Sequence, residues 1–202
     1  MRTNRLLAVL CMASLVACRA DGREGSRDAD RETSTQLGGR TAISCGVTGS
    51  TVLTGEGIGL LTVGLPLTEM QTRCTVVRDT VIPGADAEDE REVLVDLVRD
   101  TVAATLERNR VWRISVERSA FLAADSLGVG STLGGLLRSP SARGVEGEGR
   151  LFVLRADHCG LSFRIAYDIP DQSHKEEWTH QQLSALPDSA RVDRVLVVGC
   201  SR

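Results

Sequence analysis

The sequence lacks the short motifs by which many enzymes and nucleotide-binding proteins are recognised. It contains no Walker A pattern G-x-x-x-x-G-K-[ST] and no G-x-G-x-x-G, and H-E-x-x-H, G-x-S-x-G and S-x-x-K are also missing. These absences remove the usual sequence evidence for nucleotide binding, zinc-dependent proteolysis and serine hydrolysis. We therefore predict no catalytic residue and no cofactor.

Histidine and lysine are scarce. Histidine occurs only at His158, His174 and His180, and lysine only at Lys175. His174 and His180 are poorly spaced for one helical face, and a disulfide would occupy the cysteine beside His158, so no metal site is predicted. The formal net charge of −3 makes the chain a poor candidate for binding nucleic acid.

The N-terminal segment has the organisation of a signal peptide. Arg2 and Arg5 precede an apolar stretch, residues 6–16, that is too short to serve as a membrane-spanning anchor. The stretch ends in L-V-A-C at Cys18, which resembles the lipobox of bacterial lipoproteins. This resemblance implies cleavage before Cys18 and attachment of acyl chains, such as palmitate, that anchor the chain to a membrane. An ordinary signal peptide that happens to contain Cys18 is the alternative.

A charged segment follows Cys18. Residues 18–43 carry almost no large apolar side chains, so they cannot bury enough surface to offset the entropy of ordering, and we predict a flexible tether. The residue after Cys18 is Arg19 rather than aspartate. By resemblance to lipoprotein sorting in enteric bacteria, this favours the outer membrane of the cell envelope.

Two sequence patterns recur in the same order in the rest of the chain. L-x-V-G-x-x-L-x-x-[ML] occurs at 61–70 and 127–136, and R-V-x-R-[IV]-x-V occurs at 110–116 and 191–197. The recurrence indicates two copies of one unit, and the glycine-rich run in the second copy is then a strand-to-helix turn. The predicted organisation is a signal peptide at 1–17, a lipidated tether at 18–43, and a globular domain at 44–202 with repeats at about 44–122 and 123–202.

Each copy is predicted to contain a short helix that follows this turn. Pro66 in the first copy occupies the place of Thr132 in the second. Because proline is favoured at the first helical position, Leu65 and Ser131 are the predicted N-caps.

Alternating sequences after each helix predict three antiparallel strands, and so an α+β fold in which one sheet face is polar. In one of these strands Trp112, Ile114 and Val116 are predicted to face the core, with Arg113 and Ser115 on the opposite face. A capping box, T-H-Q-Q, predicts a further helix in an insertion in the second copy. The predicted strands are 92–98, 101–107, 111–118, 150–156, 161–168 and 192–198.

Four cysteines remain after Cys18, an even number that favours disulfides in an exported protein. If strands 161–168 and 192–198 pair antiparallel, Cys159 and Cys200 come within bonding range. Cys45 and Cys74 are then paired by elimination.

A short helix followed by a β-meander, duplicated in an exported chain, resembles the fold of the beta-lactamase-inhibitor-protein-like (BLIP-like) family. It is similar also to the single-unit BamE (SmpA) outer-membrane lipoproteins. The turn and helix V-G-x-x-L-x-x-[LM] carry the resemblance. It implies a protein-binding or scaffold module of the envelope, brings no catalytic residue, and fits an uncharacterised bacterial lipoprotein.

The sequence therefore predicts a noncatalytic protein, anchored by lipid, that binds another envelope protein through its open sheet face. Arg113, Ser115 and Arg164 are the candidate contacts on that face. The alternative is a small-ligand-binding or hydrolytic protein whose site is assembled only by the fold. A concave pocket that contains a histidine beside a carboxylate would favour this alternative.

Overall fold

The computed structural model describes residues 45–83, 89–147, 149–170, 173 and 175–200. The predicted signal peptide, Cys18, the predicted tether and His174 lie outside these residues. The described helices are short, and none of them combines the length and the hydropathy needed to cross a membrane.

The described part contains twelve strands and three α-helices. The strands are β1 (Leu53–Thr54), β2 (Gly57–Ile58), β3 (Leu61–Thr62), β4 (Thr75–Pro83), β5 (Asp89–Asp96), β6 (Thr101–Glu107), β7 (Arg110–Val116), β8 (Arg143–Gly147), β9 (Arg150–Leu154), β10 (Leu161–Ile165), β11 (Glu177–Trp178) and β12 (Val192–Val197). The helices are α1 (Leu67–Arg73), α2 (Leu133–Leu136) and α3 (His180–Leu183), and a 3-10 turn spans Ala156–His158.

One large sheet dominates the fold. Nine strands are arranged in the order β11-β8-β9-β10-β12-β7-β6-β5-β4, and β1-β2-β3 form a small separate sheet. All neighbouring strands are antiparallel. The predicted α+β class is thus confirmed, with strands far outweighing helices. The strands that follow α1 join those that follow α2 where β7 pairs with β12.

The predicted number of strands after each helix is wrong. Four strands, β4 to β7, follow α1, and β8, β9, β10 and β12 follow α2. β8 was missed because R-G-V-E-G contains two glycines, which are depleted in strands. β4 was missed because a bulge at Val77 and the charged pair Arg78-Asp79 interrupt its apolar pattern. The bounds of β6 are as predicted, whereas β7 begins one residue earlier and ends two residues earlier than predicted.

The turns that enter α1 and α2 are held to the sheet by the same backbone hydrogen bonds. Gly64 and Gly130 occupy the same place in these turns, with φ of 85° and 91°, a region that favours glycine. Before α1, the N–H of Gly64 donates to the carbonyl of Val111 and that of Leu67 to the carbonyl of Asn109. Before α2, the N–H of Gly130 donates to the carbonyl of Val192 and that of Leu133 to the carbonyl of Ala190. The four donor–acceptor distances are 2.6 to 2.9 Å.

Both helix N-caps lie one residue later than predicted. They are Pro66 and Thr132, not Leu65 and Ser131. The Thr132 hydroxyl accepts a hydrogen bond from the N–H of Gly135 at 3.1 Å, whereas the Ser131 hydroxyl is used in the preceding turn. A threonine one residue further on is an equally good cap, so the pattern alone did not decide between them.

The core lies between the helices and one face of the nine-stranded sheet, which we call the inner face. Met70 of α1 and Leu136 of α2 are fully buried in the same cluster as Ile114 and Val116 of β7. Leu183 of α3 belongs to the same cluster. Burial of these apolar side chains holds the three helices against the sheet.

Trp112 is not in the core, contrary to prediction. Thr105 pairs with Arg113 and Leu106 with Val111, so the ladder skips Trp112 at a bulge. Val111 takes the buried position, with 1% exposure, while the Trp112 ring is only partly buried and lies 4.6 Å from the Arg113 guanidinium. Alternation cannot reveal a bulge, because a bulge shifts every later residue by one place.

The structure contains the disulfides Cys45–Cys74 and Cys159–Cys200. The second joins the residues that flank the paired ends of β10 and β12, where Leu161 lies opposite Val197. This is the strand arrangement from which the pairing was predicted.

The insertion between β10 and β12 covers one edge of the sheet. β11 pairs with β8 and places Trp178 opposite Gly144, and α3 begins with the predicted capping box of Thr179 and Gln182. Trp178 and Leu183 pack over Gly144, where a Cβ would lie 2.8 Å from the Trp178 Cβ. Glycine is therefore required in β8 at this point.

Candidate functional site

We call the face of the nine-stranded sheet opposite the core the outer face. The buried residues of α1, α2 and α3 all belong to the inner-face core, so no described helix packs on the outer face. Antiparallel sheets commonly leave one face to solvent in this way.

A continuous row of paired residues, which we call the central row, crosses the outer face perpendicular to the strands. It contains one residue from each of eight adjacent strands, and small or aliphatic side chains occupy all of its positions except the two ends. In order from β8 to β4 the central row is Arg143, Leu154, Ser162, Leu196, Ser115, Ala103, Leu94 and Arg78. Seven strand spacings of about 4.8 Å make it roughly 34 Å long.

Ion pairs border the central row on both sides. Arg113 lies 3.2 Å from the Glu90 carboxylate, and Arg164 binds Asp193 through two hydrogen bonds of 2.7 and 3.0 Å. A third pair joins Arg194 to Glu117. These long side chains stand on either side of the shorter side chains of the row, and we call the strip between them the trough and the ion pairs its walls.

The structure places all three predicted contact residues on the outer face. Ser115 lies in the middle of the central row. Arg113 and Arg164 lie in the walls, with side chains only 17% and 19% exposed because their ion pairs hold them against the sheet. Their guanidinium groups are less available to a partner than the sequence suggested.

The two arginines at the ends of the central row were missed by the sequence analysis. Arg78 and Arg143 are exposed, and neither has an ion-pair or hydrogen-bond partner among the described residues. They lie on β4 and β8, two strands of the large sheet that were not predicted. Free arginines at both ends give the trough a positive charge at either end.

A cavity of about 380 Å³ lies where the trough reaches β8. Arg143, Leu154 and Ser162 of the central row contribute to its lining, as does His158. Nε2 of His158 lies 2.9 Å from a carboxylate oxygen of Asp125, and its ring packs edge-on against Phe163 at 6.1 Å. A histidine beside a carboxylate at a cavity is the arrangement that would favour the small-ligand or hydrolytic alternative.

Ion pairs connect the charged residues around His158. Arg155, with a side chain only 8% exposed, bridges Asp125 and Asp157. Burial raises the pKa of Asp125, but the hydrogen bond from His158 and the charges of His158 and Arg155 outweigh it, and the pKa lies below the ordinary value. The hydrogen bond from Arg155 lowers the pKa of Asp157. Both carboxylates are therefore ionised at neutral pH.

The chemistry available at this cavity is limited. Among the described residues no serine hydroxyl is hydrogen-bonded to His158, so no pair of nucleophile and base is assembled there. His180 lies elsewhere, with Nε2 3.0 Å from the carbonyl oxygen of Leu137. The arrangement of His158, Asp125 and Phe163 is typical of a histidine that fixes a loop.

Comparison with known proteins identifies a fold and no function. No family model matches the chain, and none of the curated proteins matches it. Among solved structures, the fold is similar to that of the uncharacterised protein YfeY from Escherichia coli. The TM-score is 0.53 at 14% identity, over 73% of this chain and 99% of YfeY. At this identity the likeness concerns the fold alone.

Proposed function

We propose that this chain is a noncatalytic, lipid-anchored protein of the cell envelope that binds another envelope protein through its outer face. The observation that carries the proposal is the central row, a trough of small and aliphatic side chains that no described helix covers. Leu94, Ala103 and Leu154 of the row are partly exposed and Leu196 is 8% exposed. Apolar surface surrounded by a charged rim is typical of protein interaction sites.

The cellular location rests on two features of the chain. The sequence L-V-A-C before Cys18 resembles a lipobox, and the two disulfides favour an oxidising compartment outside the cytoplasm. We expect Cys18→Ala to move the protein from the membrane fraction to the soluble fraction. Unchanged sedimentation with the membranes would contradict the lipid anchor.

We also propose that the two halves of the domain are copies of one unit, related to the BLIP-like and BamE (SmpA) folds. Supporting this, the turns before α1 and α2 make equivalent hydrogen bonds, and each helix is followed by four strands of the same sheet when β11 of the insertion is left aside. In that arrangement the junction of β7 and β12 lies at the centre of the outer face, where both copies contribute to one binding surface.

Capture of the partner from native membranes tests the function. The tagged full chain should retain at least one envelope protein after mild crosslinking, and Ala103→Arg, which fills the trough, should abolish that capture. Thr68→Arg on α1 adds the same side chain to the opposite side of the domain and should leave capture unchanged. Equal capture by both variants would exclude the outer face as the binding surface.

The pair of His158 and Asp125 at the cavity supports a second candidate function, the binding or hydrolysis of a small molecule. This candidate predicts turnover of a simple ester such as p-nitrophenyl acetate by the wild-type chain and its loss in His158→Gln. Turnover that is equal in both proteins, or no greater than in buffer, would exclude it.

A further inference from the structure

The two edges of the nine-stranded sheet are covered differently. At one edge β11 pairs with β8, and Trp178 packs over the strand. At the other edge β4 is the last strand, and no described residue pairs with its free side. β4 spans nine residues and β8 only five, so the longer of the two strands is the one left at a free edge.

The free edge carries exposed apolar side chains. Val77 and Val81 of β4 are 60% and 61% exposed. Every second residue of β4 also directs its backbone N–H and C=O away from β5, because an antiparallel ladder uses only alternate residues. Such an edge is a template for pairing with a further strand.

We infer that β4 pairs antiparallel with β4 of a second copy of this chain, joining two sheets across a twofold axis. A second copy is the occupant because the edge complements itself. With Asp79 on the axis, Val77 lies opposite Val81 of the second copy, and Val76 lies opposite its Ile82. Twofold symmetry repeats each apolar contact, so both exposed valines of both copies are covered.

The charges at the axis also balance. The two Asp79 carboxylates meet there, and like charges directly opposite one another oppose pairing. Within each copy, however, Asp79 accepts hydrogen bonds of 2.8 and 2.7 Å from Arg91. Those hydrogen bonds lower the pKa of Asp79 below its ordinary value. The interface therefore contains two carboxylates and two guanidinium groups.

The mass of the full chain in detergent solution, measured by sedimentation velocity over a concentration series, tests the inference. We expect a concentration-dependent dimer whose dissociation constant rises at least tenfold in Val81→Lys. Val52→Lys, at a valine that is 44% exposed but lies outside β4, is the matched control and should have no effect.

The charge arrangement gives a second test, with opposite expectations for two neighbouring variants. Arg91→Gln removes the positive charge beside each Asp79, so the two Asp79 carboxylates repel one another and the dimer should weaken. Asp79→Asn removes both carboxylates and should not weaken the dimer. Asp79→Cys, which lies on the axis, should form an intermolecular disulfide on oxidation, and Arg73→Cys on α1 should not. Thermal unfolding of each variant separates these effects from loss of the fold.

Two results would overturn the inference. The first is a chain that remains monomeric at every concentration, as expected if the bulge at Val77 and the charges of β4 protect the edge from pairing. The second is a dimer that persists in Val81→Lys. Neither result bears on the proposed binding of a partner through the outer face, which the Ala103→Arg variant tests independently.

Discussion

The chain enters α1 and α2 through similar turns, but the two edges of the large sheet are covered differently. In the first half β6 and β7 are joined by a two-residue turn, Arg108-Asn109, and β4 is left at the free edge. In the second half the connection between β10 and β12 carries β11 and α3, which return to cover β8. The cover of one edge of the sheet is thus supplied by this insertion, which has no counterpart between β6 and β7.

Removal of the Trp178 side chain should have the largest effect on the covered edge of the sheet. Trp178 is 4% exposed and joins β11 to the core, so we expect Trp178→Ala to lower the free energy of unfolding by about 3–5 kcal/mol. The variant should also self-associate more than the wild type, because the edge of β8 becomes free. Urea denaturation and sedimentation measure the two effects.

Trp112→Ala is the internal control for this prediction. Its ring is only partly buried, so removal of the same side chain should cost clearly less. Equal losses in the two variants would contradict the larger contribution assigned to the buried Trp178.

Gly144 should tolerate no side chain, because β11 and α3 lie directly over it. A Cβ there would lie 2.8 Å from Trp178 and 3.0 Å from Leu183, so Gly144→Ala should cost about 1–3 kcal/mol. In the same strand a Cβ at Gly147 would meet only Phe152 at 3.6 Å, an ordinary contact. Gly147→Ala should therefore change the urea midpoint little, and a loss as large as that of Gly144→Ala would contradict this packing.

The arginines beside the two helix-entry turns should be equivalent. Nη1 of Arg110 donates to the carbonyl of Gly64 at 2.9 Å, and Nη1 of Arg191 donates to that of Gly130 at 2.7 Å. Each arginine-to-alanine variant should cost about 1 kcal/mol in urea denaturation. Arg108→Ala, at an arginine that is 90% exposed, should cost almost nothing. A neutral result at either Arg110 or Arg191 would break the equivalence of the turns.

Both halves should lose stability in acid. The pKa values of Asp79 in the first half and of Asp125 and Asp157 in the second lie below the ordinary value. Because the folded-state pKa is the lower one, the stabilisation is complete above the unfolded-state value near 4 and is lost as the pH falls below it. Asp157→Asn should lose less stability than the wild type between pH 5 and pH 3, and an unchanged pH dependence would contradict the pKa of Asp157.

The parts of the fold that the sequence predicted are those that depend on local pattern. β6 was predicted with its bounds and β7 to within two residues because both follow local strand patterns, and the capping box of α3 was predicted because its residues lie three apart. β8 was not predicted because it contains Gly144, a residue type that is depleted in strands. Glycine is needed there because Trp178, which is far away in sequence, packs directly over it. The position of Trp112 failed for a similar reason, since a bulge is set by strand register.

The candidate site was predicted only in part, for the same physical reason. Ser115 lies in the central row as alternation requires, but nothing local shows that Arg113 and Arg164 are held by Glu90 and Asp193. The order of the strands decides which residues become neighbours. That order also brings His158 to Asp125, which no spacing in the sequence indicates.

Site-specific photocrosslinking from position 115 in native membranes tests the central claim most directly. A photoreactive amino acid at Ser115, in the middle of the central row, should give a discrete crosslinked product with an envelope protein. The same residue at Thr68, on the opposite side of the domain, should not give that product. The same product from both positions, or from neither, would contradict a binding surface on the outer face.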